Sequence, residues 1–102
     1  MGSALEFKVI WSARAVSDLE ELCNYIAADN PDAAYKTGRE IMARAQMLAT
    51  FPLAGPTYPR GTDGNIREAI QRPYRIFYEV TEATKTVDIL HVRHGARQEP
   101  KF

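Results

Sequence analysis

Two histidines, His91 and His94, stand three residues apart near the end of the sequence. Together with Arg67, Arg75, Tyr78 and Arg97 they supply the groups that acid–base cleavage of RNA requires. Such cleavage needs a base for the 2′-hydroxyl, an acid for the leaving oxygen and cations around the charged transition state. Each residue also has a plainer reading. Tyr78 shares a strand face with Ile76 and Val80, which makes it a core tyrosine with its hydroxyl at the rim. Arg75 points the other way and can cover an exposed strand face, and Arg67 can pair with a helix carboxylate. His91, between Leu90 and Val92, reads as a structural histidine. His94 and Arg97 read as the most exposed of the set and the best placed to touch a partner. Tyr74, Phe77 and Tyr78 beside Arg75 form an aromatic run, but it divides between two strand faces and lacks an RNA-stacking motif.

Metal and cofactor chemistry is not expected. If the strand carrying His91 and His94 continues, the two side chains point to opposite faces, which is poor chelating geometry. No Asp or Glu lies within two residues of either histidine, and the single cysteine, Cys23, excludes an intramolecular disulfide and a Cys-rich zinc site. P-loop, GxGxxG, HExxH, GxSxG and EF-hand patterns are absent from the sequence.

The elements that must position these residues follow from periodicity. Leu5 to Trp11 alternates Leu5, Phe7, Val9 and Trp11 against Glu6, Lys8 and Ile10, a strand with one buried face. Ser12 is placed to cap a helix in which Val16, Leu19, Cys23, Ile26 and Ala27 recur at helical spacing, widened by Leu22. Asp18, Glu20, Glu21, Asn24 and Asp29 are expected on the remaining polar face. Asn30-Pro31 ends that helix and starts another, with Asn30 as cap, Pro31 at the first position and Asp32 in the first turn. Ala34, Gly38, Ile41, Ala45 and Leu48 form the second stripe, whose small residues let the helices approach closely. Residues 51–65 read as an irregular crossover. Strands are predicted over Ile66–Ile70, Tyr74–Thr81 and Thr86–Val92, with residues 93–102 as a polar tail and residues 1–4 outside the fold. The result is one α+β domain of order β-α-α-β-β-β, a long helical hairpin on a small, mainly antiparallel sheet.

Thirteen basic residues balance thirteen acidic ones and the pI is about 6.7, so non-specific attraction to nucleic acid or anionic lipid is disfavoured. The charge is nevertheless uneven: residues 1–51 carry five basic and seven acidic side chains, residues 52–102 eight and six. Arg67, Arg72, Arg75, Arg93 and Arg97 fall on the later strands or their ends, so the sheet is the better candidate for meeting something negative. The longest uncharged stretch, Ala45–Pro59, is broken by three prolines and too short to span a bilayer. A cytoplasmic location, with no membrane association, is expected.

Several short patterns recur in family order along residues 6–98. They are Val9-Ile10-Trp11-Ser12 with Ala15 and Asp18-Leu19; Tyr25-Ile26-Ala27; Asn30-Pro31 with Ala33-Ala34; Leu48 and Phe51-Pro52 with Gly55; Ile66-Arg67-Glu68; Tyr74-Arg75-Ile76-Phe77-Tyr78; and Val87 to Arg97. In these the sequence resembles the RelE/ParE superfamily of bacterial toxins from type II toxin–antitoxin systems. The resemblance implies the β-α-α-β-β-β fold and one of two activities. RelE-like members are ribosome-dependent mRNA endonucleases, strongly basic, with sheet arginines and lysines and a late tyrosine; ParE-like members poison DNA gyrase without that catalytic set. Here no tyrosine follows Tyr78 and the net charge is zero, which places the chain nearer the ParE-like branch.

On that reading no residue is catalytic, and Arg67, Arg75, Arg93, His94 and Arg97 are the expected contacts with the target, DNA gyrase. The rival reading makes Arg67, Arg75 and His91 or His94 the working residues of an endonuclease. A third has a degenerate, non-toxic member that only binds antitoxin. The resemblance further implies a cognate ParD-like antitoxin in a hetero-oligomer, docked by a helix in a groove with possible strand addition. Tyr35, Gly38, Met42 and Phe77 are the expected receiving residues. Sequence-specific DNA binding by this chain itself is not implied.

Overall fold

The computed structural model describes residues 6–59 and 65–95; Leu5, Arg97 and the tail beyond Gly95 lie outside the described residues. The chain runs β1 (Lys8–Trp11), α1 (Ala13–Ala27), α2 (Pro31–Met47), β2 (Ile66–Gln71), β3 (Tyr74–Thr81) and β4 (Thr86–His94). The sequence-derived order is thus the observed one.

Both helices start where their capping residues dictate. Ser12 Oγ accepts from Ala15 N–H at 3.0 Å, and Asn30 Oδ1 accepts from Ala33 N–H at 3.0 Å. Each bond satisfies a donor that the first turn of a helix leaves without an internal acceptor. Pro31 opens α2, Asp32 faces its positive end and Arg44 its negative end. The buried stripe of α2 is Ala34, Gly38, Ile41 and Ala45. A Cβ built at Gly38 would lie 3.2 Å from Cys23 Sγ, which shows how closely the two helices pack at that point.

The four strands form one sheet in the order β1-β4-β3-β2. β2–β3 and β3–β4 are antiparallel, while β1 runs parallel to β4 with Val9 opposite Val87 and Trp11 opposite Ile89. The helices cover one face, where Ile41, Ala45 and Leu48 meet Ile76, Tyr78, Val87, Ile89 and Val92. Trp11 and Leu22 pack against that core from its margin. On the opposite face Tyr58, Ile66 and Phe77, joined by Leu90, make a second, smaller core. A bulge separates the two: Tyr78 faces Ile89 and Phe77 faces His91, so Leu90 is the extra residue.

Three expectations are corrected. β1 begins at Lys8, because Phe7 N–H turns aside to donate to Ala49 O at 2.9 Å. β4 continues through His94, so Arg93 and His94 belong to the sheet: Arg93 pairs with Arg75 and His94 with Tyr74. The crossover is only partly irregular. Tyr58 N–H donates to Ile66 O at 2.7 Å and Glu68 N–H to Pro56 O at 3.0 Å, a short rung that covers the outer edge of β2.

What fastens the crossover is the hydroxyl of Tyr78. The side chain is wholly buried; its oxygen accepts from Gly55 N–H at 2.9 Å and donates to Pro52 O at 2.8 Å. The hydroxyl therefore lies sealed beneath residues 52–55 and not at a rim. Tyr78→Phe leaves a buried amide and a carbonyl without their partner and is expected to lower stability by about 1–3 kcal/mol, read from urea unfolding. Gly55 must lack a side chain, since a Cβ there would stand 2.5 Å from Glu68 O and 2.9 Å from the Tyr78 oxygen. Gly55→Ala should therefore cost about 1–3 kcal/mol, measured as a fall in thermal midpoint, and push the crossover off the sheet.

Candidate functional site

Two surfaces draw together the residues singled out by the sequence. The first is the end of the sheet at the β3–β4 pair. Arg75 on β3 and Arg93 on β4 stand directly opposite each other, and like charges in that relation repel. Each is relieved from its own flank. Arg75 Nε donates to Glu68 Oε2 of β2 in a close ion pair, and its guanidinium lies 4.9 Å from the Phe77 ring centre and 5.9 Å from that of Tyr58. The Tyr58 ring meets Phe77 edge-on at 4.9 Å. Arg75 thus does not cover an open strand face; its side chain is 15% exposed.

Arg93 is relieved from the opposite flank by Asp18 of α1, whose Oδ1 is 3.8 Å from Arg93 Nη1. Asp18 Oδ2 accepts from Val92 N–H at 3.1 Å and lies 3.6 Å from His91 Nδ1. The expectation that Asp18 sits on the polar face of α1 is therefore corrected: the residue is 5% exposed. The cause is topological. β1 stops at Trp11, while β4 runs on and would leave Val92 N–H on an unpaired edge; Ser12 and Asp18 take over where β1 ends. A signal was present in the sequence, since Ala15, Asp18 and Leu22 follow one another at helical spacing of three and four. Glu68 and Tyr58, which flank Arg75, are further residues of this cluster that sequence reasoning missed.

The other candidates separate. Arg67 is not in this cluster and meets no helix carboxylate: its Nη1 donates to Gly55 O at 2.7 Å and steadies the crossover. His91 and His94 do point to opposite faces, His91 opposite Phe77 and His94 edge-on to Tyr74 at 5.5 Å. His94 is exposed. Burial pushes the Tyr78 hydroxyl above the ordinary tyrosine range, against the opposing pull of its bond from Gly55 and of Arg67 and Arg44. It stays protonated at neutral pH and faces no solvent. Among the described residues no group of three His, Cys, Asp or Glu is placed to hold a metal ion. No helix among them is long and apolar enough to cross a membrane.

The second surface is a groove of about 570 Å³ between the outer sides of α1 and α2. Its walls include Leu19, Cys23, Ala34 and Gly38, and Tyr35 and Met42 rise beside it, 69% and 54% exposed. Burial raises the Cys23 thiol above its usual range, so the sulfur is an apolar lining group and not a thiolate. Tyr35, Gly38 and Met42, expected to receive a partner, therefore do share one concave face. Phe77 does not. It is fully buried beneath Tyr58 on the far side of the sheet, a core residue and not a receiving one.

A family model described as the ParE toxin of type II toxin-antitoxin systems, parDE, matches residues 9–99 of this chain. The putative toxin Y4kP of Sinorhizobium fredii is 32% identical over 96 residues, 92% of this chain and 94% of that protein. Toxin RelE2 of Caulobacter vibrioides is 33% identical over 91 residues, 88% and 97% of the two chains. Among solved structures, a chain of the chromosomal ParDE toxin–antitoxin system of P. aeruginosa superposes with a TM-score of 0.72 at 21% identity, covering 87% of this chain and 96% of its own. That likeness shows the shared fold, a helical hairpin on the same kind of sheet. With the family pattern matched along most of its length and two relatives one-third identical over nearly all of it, the chain belongs to the ParE toxin family of type II toxin–antitoxin systems, within the RelE/ParE superfamily.

Proposed function

We propose that this toxin works by contact: bound by a cognate antitoxin it is silent, and released in the cytoplasm it inhibits DNA gyrase. The observation that carries this reading is the state of the sheet cations. Arg75 and Arg93 are each engaged by an internal carboxylate, and Tyr78 is sealed under the crossover. Nuclease chemistry needs groups free to meet phosphate and to trade protons with it; Arg75, Arg93 and Tyr78 are each already held by a partner within the chain. A neutral net charge agrees, because docking into an RNA-rich decoding site draws much of its affinity from cationic contacts.

The antitoxin side of the proposal rests on the helical groove. Its small-residue floor at Ala34 and Gly38 admits close approach, and an amphipathic helix is the shape that fills such a channel. Met42 supplies an adaptable apolar contact and Tyr35 a large rigid one. The target side rests on the end of the sheet, where Arg93 reaches the surface beside Arg75 and His94 is exposed on the opposite face. Arg97 is proposed to extend this contact. Arg67 is not, because it holds the crossover.

Purified chain added to a gyrase supercoiling reaction should inhibit it, and the antitoxin encoded beside this chain should restore supercoiling. Undisturbed supercoiling by folded chain that still arrests growth would overturn the gyrase assignment; no arrest at all would favour a non-toxic member. Replacing both Tyr35 and Met42 by Ala should weaken antitoxin binding by at least about thirtyfold, the loss of a hot-spot contact, while leaving growth arrest at full strength.

A further inference from the structure

Val92 N–H needs one acceptor oxygen to finish the edge of β4. A neutral side-chain amide would provide it at no cost in buried charge. The chain instead places an ionisable carboxylate there, 3% exposed at its side chain, and leaves its second oxygen facing Arg93. Buried charge is costly unless it is paired, so the charge itself calls for an explanation beyond the strand edge.

The geometry supplies one. The Asp18 carboxylate lies inside, while the Arg93 side chain is 32% exposed and reaches the surface. On the other flank Glu68 holds Arg75 in a closer, hydrogen-bonded ion pair, so the two opposed guanidiniums face separate carboxylates on either side of the β3–β4 pair. An arginine steered this way gives up side-chain freedom on folding, before any partner arrives, and pays less of that cost on binding. His91 Nδ1, at 3.6 Å from Asp18 Oδ2, packs the remaining side of the carboxylate.

We propose that Asp18 is a positioning residue of the toxin: one oxygen closes the edge of β4, and the negative charge holds Arg93 in the orientation in which it meets the target. The inference rests on the reading that this end of the sheet is the target-contacting surface. Its two functions separate chemically, because Asn keeps the acceptor for Val92 and removes the charge. A role confined to the strand edge would be met by Asn; a positioning role would not.

The test is a double-mutant cycle on growth arrest in induced cells, with thermal midpoint and antitoxin affinity measured on the same purified proteins. Asp18→Asn and Arg93→Gln should each weaken arrest by about tenfold, while antitoxin affinity stays within about twofold of wild type. The double variant should be no weaker than Arg93→Gln alone, since Asp18 acts through Arg93. Additive losses, or full arrest by Asp18→Asn, would overturn the positioning role. Where Asp18→Asn fails to fold, nitrogen relaxation of the wild-type Arg93 Nε–H decides. An order parameter near that of rigid backbone, about 0.85, supports the proposal, and one below about 0.6 overturns it. Wild-type protein that arrests no growth would overturn the toxin reading and the proposal together; arrest without gyrase inhibition would remove the gyrase assignment and leave the cycle valid.

Discussion

The last of the described strands, β4, is also an inner strand of the sheet, and that constraint organises the described fold. β4 must be satisfied along both edges. β3 covers one for its whole length, but β1 is only four residues long and can pair with the start of the other. The remainder of that edge is closed by side chains of the segment that follows β1: Ser12 Oγ donates to Leu90 O at 3.3 Å and Asp18 accepts from Val92 N–H. Ser12 therefore caps α1 and ties it to β4 at once. The position of α1 on the sheet, and with it the hairpin it forms with α2, is set by how the open edge of the final strand is finished.

The same constraint shapes the proposed target surface. Bringing Asp18 to the edge brings a carboxylate beside His91 and Arg93, while the register of β2 brings Glu68 beside Arg75. The cations gathered at the end of the sheet are thereby answered from within. Arg75 and Arg93 thus form a partly neutralised surface, each facing a carboxylate of the chain. The bulge at Leu90 contributes as well: it turns Leu90 onto the face of Phe77 and Ile66 while Ile89 and Val92 stay against the helices. The crossover completes the arrangement, with Tyr58 laid over Phe77 and its backbone paired to β2. The helical groove lies apart from this, between α1 and α2.

Much of this was legible in the sequence, wherever the physics is local. Ser12, Asn30 and Pro31 marked the helix starts because capping acts within a few residues, and Ala34, Gly38 and Ala45 marked the close helix contact because spacing and size suffice. The alternation from Tyr74 to Thr81 placed Ile76 and Tyr78 on one face and Phe77 on the other. What was not legible depends on residues far apart in the chain. Nothing near His91 announces Asp18, and nothing near Arg67 announces Gly55 O. β4 read as ending at Val92 because Arg93 and His94 are polar; the pairing with Arg75 and Tyr74 that extends it is visible only once the sheet is assembled. Phe77 read as a receiving residue because the residue that covers it, Tyr58, lies in a stretch rich in Pro and Gly. Asp18 is the instructive case: its spacing from Ala15 and Leu22 put it on the buried stripe, but its charge argued for solvent, and the demand of an unpaired strand edge prevailed.

The proposed mode of action of this toxin is surface contact, not the cutting of a phosphodiester bond. Ribosomes translating a defined message, supplied with folded chain at concentrations that arrest growth, test it most directly when the message is mapped by primer extension. Action by contact leaves the message full-length, with no codon-positioned breaks. Breaks in the decoding site that disappear when Arg75 is replaced by Ala would contradict it.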